Sequence, residues 1–201
     1  RLSYNDALNT YGCDKPDLRF DLPLCDVNEL AQKSSFATFK DIVANGGYVK
    51  AICAPKTDGV DFSRKYITEL EDAAKIYGAQ GLAWIKVGEN KSLSGGVSKF
   101  FTGLEAELIQ KLGANEGDMI LFVAHQNWKK CCASLSDVRT KLGKDLKLIR
   151  KGFEFCWIID FPLFEYNEQA GHWEAAHHMF SMPQAEYLDT LESDPGSVKG
   201  D

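Results

Sequence analysis

The sequence lacks the features that mark several common protein classes. Its longest unbroken apolar stretches span a handful of residues, such as Met119–Ala124, whereas a membrane-spanning helix needs about 20. Residues 1–4 show no basic n-region leading into an apolar h-region, so we expect no secretory signal peptide. The six cysteines include no pair at the C-x-x-C spacing of zinc and redox sites. These absences favour a cytoplasmic protein without a membrane span, a metal site or disulfides.

The composition is otherwise ordinary for a globular protein. Of 201 residues, 44% are hydrophobic and 26% are charged. The formal net charge of −6 argues against non-specific binding of nucleic acid by the whole chain. A local run of cations fits either a solvated helix end or a basic face. It consists of Lys141, Lys144, Lys147, Arg150 and Lys151.

Residue spacing predicts an α+β fold for the middle of the chain. Apolar residues at three- and four-residue intervals predict a helix over 63–77, while 81–87 and 118–125 are typical of strands. Asn45-Gly46-Gly47 favours a hairpin between strands at 36–43 and 48–54. We therefore expect two layers, with helices on a mainly antiparallel sheet.

The two ends of the chain differ from this middle part. Residues 155–160 are apolar at nearly every position, which is typical of a strand covered on both faces inside a larger sheet. The pattern from Ser181 to Gln184 predicts the start of a final helix. A short helix at the start and one doubly buried strand near the end would make a poor domain by themselves.

Several residues are candidates for chemistry, and each has a structural alternative. His177 and His178 either form a hydrogen-bonded structural pair or present one imidazole to a pocket. Asp14 and Asp17 fit a turn better than a paired-carboxylate site. Asp160 fits a strand-end cap better than a group that orients a cation.

Two weaker candidates lie around the start of the helix that follows Asn127. Cys131, Cys132 and His125 match no zinc spacing. Trp128, with its neighbours Lys129 and Lys130, could stack on RNA, although an exposed aromatic in a first helical turn is the simpler interpretation.

Three stretches of the sequence resemble bacterial-type aspartyl-tRNA synthetases. Residues 11–20, YGCDKPDLRF, resemble the family's YGSDKPDLR segment. Residues 157–165, WIIDFPLFE, followed by HHMFS at 177–181, resemble WVIDFPLFE and HHPFT. Residues 74–87 and 117–120 are similar to the insertion known as the GAD domain.

The resemblance implies a class II synthetase core interrupted by an insertion. Residues 1–24 and 152–201 would be pieces of the catalytic core, and 25–151 the GAD insertion. The full-length parent would use ATP and Mg²⁺ to activate L-aspartate and then transfer it to the 3′ end of tRNA, with the insertion near the acceptor stem. The parent would be a homodimer. We expect this chain, which lacks the family's motifs 2 and 3, to be an inactive, monomeric fragment without a cofactor.

The resemblance also assigns site residues. His177, the first histidine of the HHPFT-like segment, would contact aspartate or its adenylate, and His178 would lie nearer the phosphate. Met179 replaces the family's proline and Ser181 its threonine, which leaves the loop less constrained. No catalytic base is implied, because the phosphate can take the proton. The alternative is a structural or protein-interaction module of a tRNA-dependent amidotransferase-type protein, which would not explain residues 157–165 and 177–181.

Overall fold

A computed structural model describes residues 1–176 and 180–200. The chain divides into a smaller compact unit, Arg1–Ala7 with Phe155–Asp201, and a larger one, Leu8–Glu154. The domain boundaries expected from the family, after residues 24 and 151, stay a prediction. None of the helices in the described part of the chain combines the length and hydropathy that crossing a membrane requires.

The larger unit is built on a five-stranded sheet. Its strands are β2 (Leu24–Asp26), β3 (Tyr48–Ala54), β4 (Ala83–Val87), β5 (Leu93–Ser94) and β6 (Met119–His125). They lie in the order β2-β3-β6-β4-β5, and every neighbouring pair is antiparallel. The predicted α+β class with a mainly antiparallel sheet is confirmed.

Six α-helices accompany these strands, and the first contributes residues to both units. They are α1 (Tyr4–Tyr11), α2 (Asn28–Lys33), α3 (Ala37–Ala44), α4 (Arg64–Lys75), α5 (Glu105–Leu112) and α6 (Trp128–Asp145). Side-chain caps fix two of the starts. Ser63 Oγ accepts the Tyr66 N–H at 3.4 Å, and Asn127 Oδ1 accepts the Lys130 N–H at 3.1 Å.

Helices pack on both faces of the sheet, which makes three layers rather than the two expected. On β6, Leu121 and Val123 face the core beneath α4 and α6. The alternate residues Ile120 and Phe122 face the core formed with α2, α3 and α5. Two-sided burial explains why this strand is apolar at successive positions.

The predicted strand at 36–43 is wrong, because this segment is the helix α3. Phe39, Ile42 and Val43 have the three- and four-residue spacing of a helix face. Phe39 is buried in the core formed with α2, α3 and α5, and Val43 packs against it. Asn45-Gly46-Gly47 ends the helix instead of forming a hairpin. Gly46 has a φ of +79°, and the Gly47 N–H donates to the Ile42 carbonyl at 2.8 Å.

The strands described in the smaller unit are short. They are β1 (Leu2–Ser3), β7 (Ile158–Ile159), β8 (Phe161–Pro162), β9 (Phe164–Asn167), β10 (His172–Ala175) and β11 (Lys199–Gly200). β1 pairs in parallel with β7, β8 pairs with β11, and β9 with β10 forms a hairpin. The predicted final helix is a 3-10 helix over Ala185–Thr190.

Candidate functional site

The predicted site residues His177 and His178 lie outside the described residues, as does Met179. The structure describes the chain on either side of them, in the smaller unit. Before them, β10 ends at Ala175, and the Ala176 N–H donates to the Leu163 carbonyl at 2.9 Å. The entry to the segment is therefore fixed to the residue that follows β8.

After the predicted site, three extended pieces of chain lie side by side. β11 is the middle piece, with β8 on one side and Pro183–Gln184 on the other. The Leu163 N–H donates to the Val198 carbonyl, and the Gln184 N–H donates to the Lys199 carbonyl, both at 2.9 Å. Backbone hydrogen bonds thus hold Ala176, before residues 177–179, and Gln184, after them.

Gln184 also bonds across β11 through its side chain. Its Nε2 donates to Oδ1 of Asp160 at 3.1 Å and to the Gly200 carbonyl at 3.2 Å. Asp160 stands between β7 and β8 with a φ of +60°, in the left-handed region that few residues other than glycine adopt. Asp160, at the end of β7, thus accepts a hydrogen bond from the side-chain amide of a residue 24 positions away.

The strand expected to be buried on both faces is exposed in this chain. Phe155 is 91% exposed and Trp157 is 75% exposed, and the strand itself is limited to Ile158–Ile159. Within the described residues β7 pairs only with β1, so it lies at the edge of a two-stranded sheet. The predicted burial is wrong because the described chain supplies no layers to cover this segment.

In the larger unit, Asp17 stands at the start of a turn at residues 18–19, as its simpler interpretation predicts. Oδ1 of Asp17 accepts the backbone N–H and Nε of Arg19, both at 3.0 Å, and Oδ2 pairs with the guanidinium at 2.8 Å. The side-chain hydrogen bond from Arg19 lowers the pKa of Asp17 to about 2. A carboxylate held ionised in this way is unsuited to proton transfer near neutral pH.

The clearest feature that sequence reasoning missed is Arg139, which is 2% exposed. Its guanidinium donates to the carbonyls of Leu22, Phe20, Asp17 and Asp21 at 2.9–3.2 Å. It also lies 4.1 Å from the Phe20 ring centroid.

The signal for Arg139 was its position four residues after Leu135 and three before Leu142, on the buried face of α6. Its hydrogen bonds hold residues 17–22, the segment that leads into β2.

The remaining charged and aromatic candidates have structural partners. Trp128 Nε1 donates to Oδ1 of Asn9 at 3.0 Å, which ties the first turn of α6 to α1. In the cation run, Lys141 pairs with Glu69 at 3.4 Å and with Asp145 at 2.9 Å. The simpler interpretation, a packed first turn and a solvated helix, fits these contacts.

Cys131 and His125, two of the groups considered as metal ligands, make structural hydrogen bonds. In the ranges 1–176 and 180–200, no group of three or more His, Cys, Asp or Glu side chains is arranged to hold an ion. The Cys131 thiol donates to the Val123 carbonyl, and burial raises its pKa to about 12. Nδ1 of His125 accepts the Asn127 N–H at 2.8 Å. These groups are occupied by structural hydrogen bonds.

Gly95 and Gly96 allow a close backbone approach to Trp84. A Cβ at Gly96 would come within 1.9 Å of the Trp84 carbonyl oxygen, and one at Gly95 within 2.3 Å of its ring. Both glycines also have positive φ. Packing against Trp84 accounts for them.

The chain is similar to known proteins along its whole length. The family model of the GAD domain matches residues 39–135. The Aspartate--tRNA(Asp/Asn) ligase of Treponema denticola is 55% identical over all of this chain and 34% of the ligase. The Aspartate--tRNA(Asp/Asn) ligase of Treponema pallidum (strain Nichols) is 44% identical over all of the chain and 33% of the ligase.

A third relative comes from another genus. The Aspartate--tRNA ligase of Macrococcus caseolyticus is 46% identical over 99% of the chain and 33% of the ligase. The chain spans about one third of the length of these curated relatives. Residues 39–135 thus match the GAD domain, and the whole chain is similar to about one third of the bacterial aspartate–tRNA ligases, as its sequence motifs predicted.

Proposed function

We propose that this chain is part of an aspartate–tRNA ligase, which activates L-aspartate with ATP and transfers it to the 3′ end of tRNA. The observation that carries the proposal is the 55% identity to such a ligase along the entire chain, not only in the GAD domain. An interaction module of the amidotransferase type would not need residues 157–165, which resemble the ligases' WVIDFPLFE segment.

The geometry of the smaller unit supports this proposal. Leu2 pairs with Ile158 and Ser3 with Ile159 in parallel register, so two segments remote in sequence belong to one sheet. A synthetase core interrupted by an insertion requires this arrangement, because the chain leaves the core and later returns to it. The exposed apolar row of Phe155 and Trp157 is suited to burial by further strands, which the rest of a ligase would provide.

We assign different roles to the two parts of the chain. In the proposed ligase, His177 and His178 would bind aspartate or the adenylate, because an imidazole N–H can donate to a carboxylate or phosphate oxygen. The GAD domain would lie near the tRNA acceptor end. ATP and Mg²⁺ would serve the complete ligase, and we assign them to no residue of this chain.

A chimaera tests the proposal. These 201 residues would replace the matching third of the Treponema denticola ligase. We expect the chimaera to catalyse aspartate-dependent exchange of pyrophosphate into ATP and the isolated chain to show none. His177→Ala should reduce exchange by roughly ten- to a hundredfold, the effect of losing a charge-assisted hydrogen bond, without lowering the unfolding temperature. A well-folded but inactive wild-type chimaera would refute the proposed function.

A further inference from the structure

The peptide bond between Asn45 and Gly46 lies where α3 ends and the chain turns into β3. We propose that Asn45 is a site of spontaneous deamidation, and that the C-terminal turn of α3 controls the rate of the reaction. Asn45 is the one asparagine in this sequence that is followed by a glycine, and both residues are exposed. This chemistry does not depend on the proposed function.

The reaction needs water and no enzyme. Hydroxide takes the backbone N–H proton of Gly46, whose nitrogen attacks Cγ of Asn45. A C–N bond forms and closes a cyclic succinimide, while the Cγ–Nδ2 bond breaks and ammonia leaves with a proton from water. Water then opens the ring at either carbonyl, which gives aspartate or isoaspartate. Glycine has no Cβ to shield the attacking nitrogen, and a Cβ built at Gly46 would meet nothing within 4 Å, so neighbouring chain does not shield it either.

The closed conformation of the turn opposes this attack. The Gly46 N–H donates to the Val43 carbonyl at 3.0 Å, which hinders its deprotonation. Nδ2 of Asn45 donates to the Asp41 carbonyl at 2.7 Å, so the leaving group is held on the helix. Asn45 has a ψ of 18°, which turns the Gly46 nitrogen towards the backbone nitrogen of Asn45 and away from its Cβ. Deamidation therefore requires the turn to open.

The turn lies where opening is easiest. It ends a helix of eight residues in which Phe39 is the buried side chain. Asp41, Ala44 and Asn45 are all exposed. Helix ends fray at a much lower free energy than the whole domain unfolds. The last turn can thus open while Phe39 keeps the rest of α3 on the sheet.

Deamidation would change both the charge and the length of the connection to β3. An aspartate at position 45 would place a carboxylate at the negative end of the α3 dipole and four residues after Asp41. It would also lose the amide donor to the Asp41 carbonyl. Isoaspartate would add a methylene to the backbone before Gly47, whose N–H donates to the Ile42 carbonyl at 2.8 Å. We expect both products to weaken the C-terminal cap of α3.

Mass spectrometry of the full chain measures the reaction after incubation at mildly alkaline pH. Trypsin cleavage after Lys40 and Lys50 releases peptide 41–50. Its mass rises when OH replaces NH2, and chromatography separates the aspartate and isoaspartate products. We expect the folded chain to react at Asn45 before any other asparagine. The reaction should be at least about tenfold slower than in the same chain unfolded in urea, because the open turn is a minor population.

Two substitutions on α3 separate opening of its last turn from opening of the whole helix. Each native rate is divided by the rate of the same variant in urea, which cancels the effect of sequence on the chemistry. Ala44→Gly lowers helix propensity in the last turn and should raise this ratio roughly fivefold. Ala37→Gly makes the same change at the other exposed end of α3 and should leave the ratio within about twofold. Asn45→Asp, which mimics one product, should lower the unfolding temperature by about 2–4 °C.

Four results would each overturn part of the proposal. If the folded chain shows no product at Asn45 after the unfolded chain has reacted fully, Asn45 is not a deamidation site. If folded and unfolded chains react at the same rate, the turn exerts no control. Equal acceleration by Ala37→Gly and Ala44→Gly would assign the reaction to opening of the whole helix. An unchanged unfolding temperature in Asn45→Asp would remove the assigned effect on the cap.

Discussion

Replacing Arg139 with methionine should loosen residues 17–22, the segment that leads into β2. The guanidinium donates to two buried carbonyls, those of Leu22 and Phe20, and also to those of Asp17 and Asp21. Each buried acceptor left unpaired costs about 1–3 kcal/mol. Removing the cation also relieves its desolvation, which lowers the pKa of Arg139 in the folded chain. We expect a net destabilisation of about 3 kcal/mol from these opposing contributions.

Trypsin provides a local assay for this loosening. The peptide bond between Arg19 and Phe20 is a trypsin site, but Phe20 is only 2% exposed, so cleavage requires the segment to open. If opening becomes easier by about 3 kcal/mol, cleavage in Arg139→Met should accelerate roughly a hundredfold. The urea midpoint of the larger unit should fall by about 1–2 M for a typical m-value.

Lys144→Met is the control for Arg139→Met. Lys144 lies on the same helix but is exposed, so Lys144→Met should change neither the cleavage rate nor the midpoint by more than a small factor. If Arg139→Met is cut between Arg19 and Phe20 at the wild-type rate, the guanidinium does not hold this segment. The assignment of Arg139 as its anchor would then be wrong.

Two further predictions concern titration and thiols. Because the pKa of Asp17 falls from 3.8 to about 2 on folding, its stabilisation is complete above pH 4 and is lost as the pH falls towards 2. Asp17→Asn should cost about 1 kcal/mol at pH 5, after allowance for solvent screening, and nothing below pH 2 in thermal melts; a gap that widens towards low pH would contradict this. At pH 7.5, iodoacetamide should modify exposed Cys156 first, half-buried Cys53 more slowly and buried Cys131 only with denaturant, since burial raises the pKa of Cys53 and of Cys131 to about 12. Native labelling of Cys131 as fast as Cys156 would refute the assigned burial.

The elements that the sequence predicted well are those with local signals. α4 begins after Ser63 and α6 after Asn127, and the side chain of each of these residues accepts a backbone N–H from the first helical turn. α5 ends at Gly113, whose φ is +61°. A cap or a terminating glycine needs only residues within one helical turn, so its information lies entirely in the local sequence.

The prediction for residues 36–43 failed because two local signals conflicted. The Asn45-Gly46-Gly47 turn favoured a hairpin, whereas the spacing of Phe39, Ile42 and Val43 favoured a helix. Packing of Phe39 against the sheet decides for the helix. The mainly antiparallel sheet was thus correctly predicted from an incorrect hairpin, and the pairs that make it antiparallel, β3 with β6 and β6 with β4, join remote segments.

The frame around the predicted site could not have been derived from spacing, for the same physical reason. The pair of Asp160 with Gln184 depends on β11 lying between β8 and Pro183, and no periodic pattern encodes that order. The apolar residues at 155–160 show the opposite case, in which the pattern is clear but this chain supplies no covering layer. A sequence records which surfaces are suited to burial, and only the three-dimensional arrangement shows what buries them. Function was therefore inferred through motifs that resemble known ligases, whereas the hydrogen bond between Gln184 and Asp160 is visible only in the coordinates.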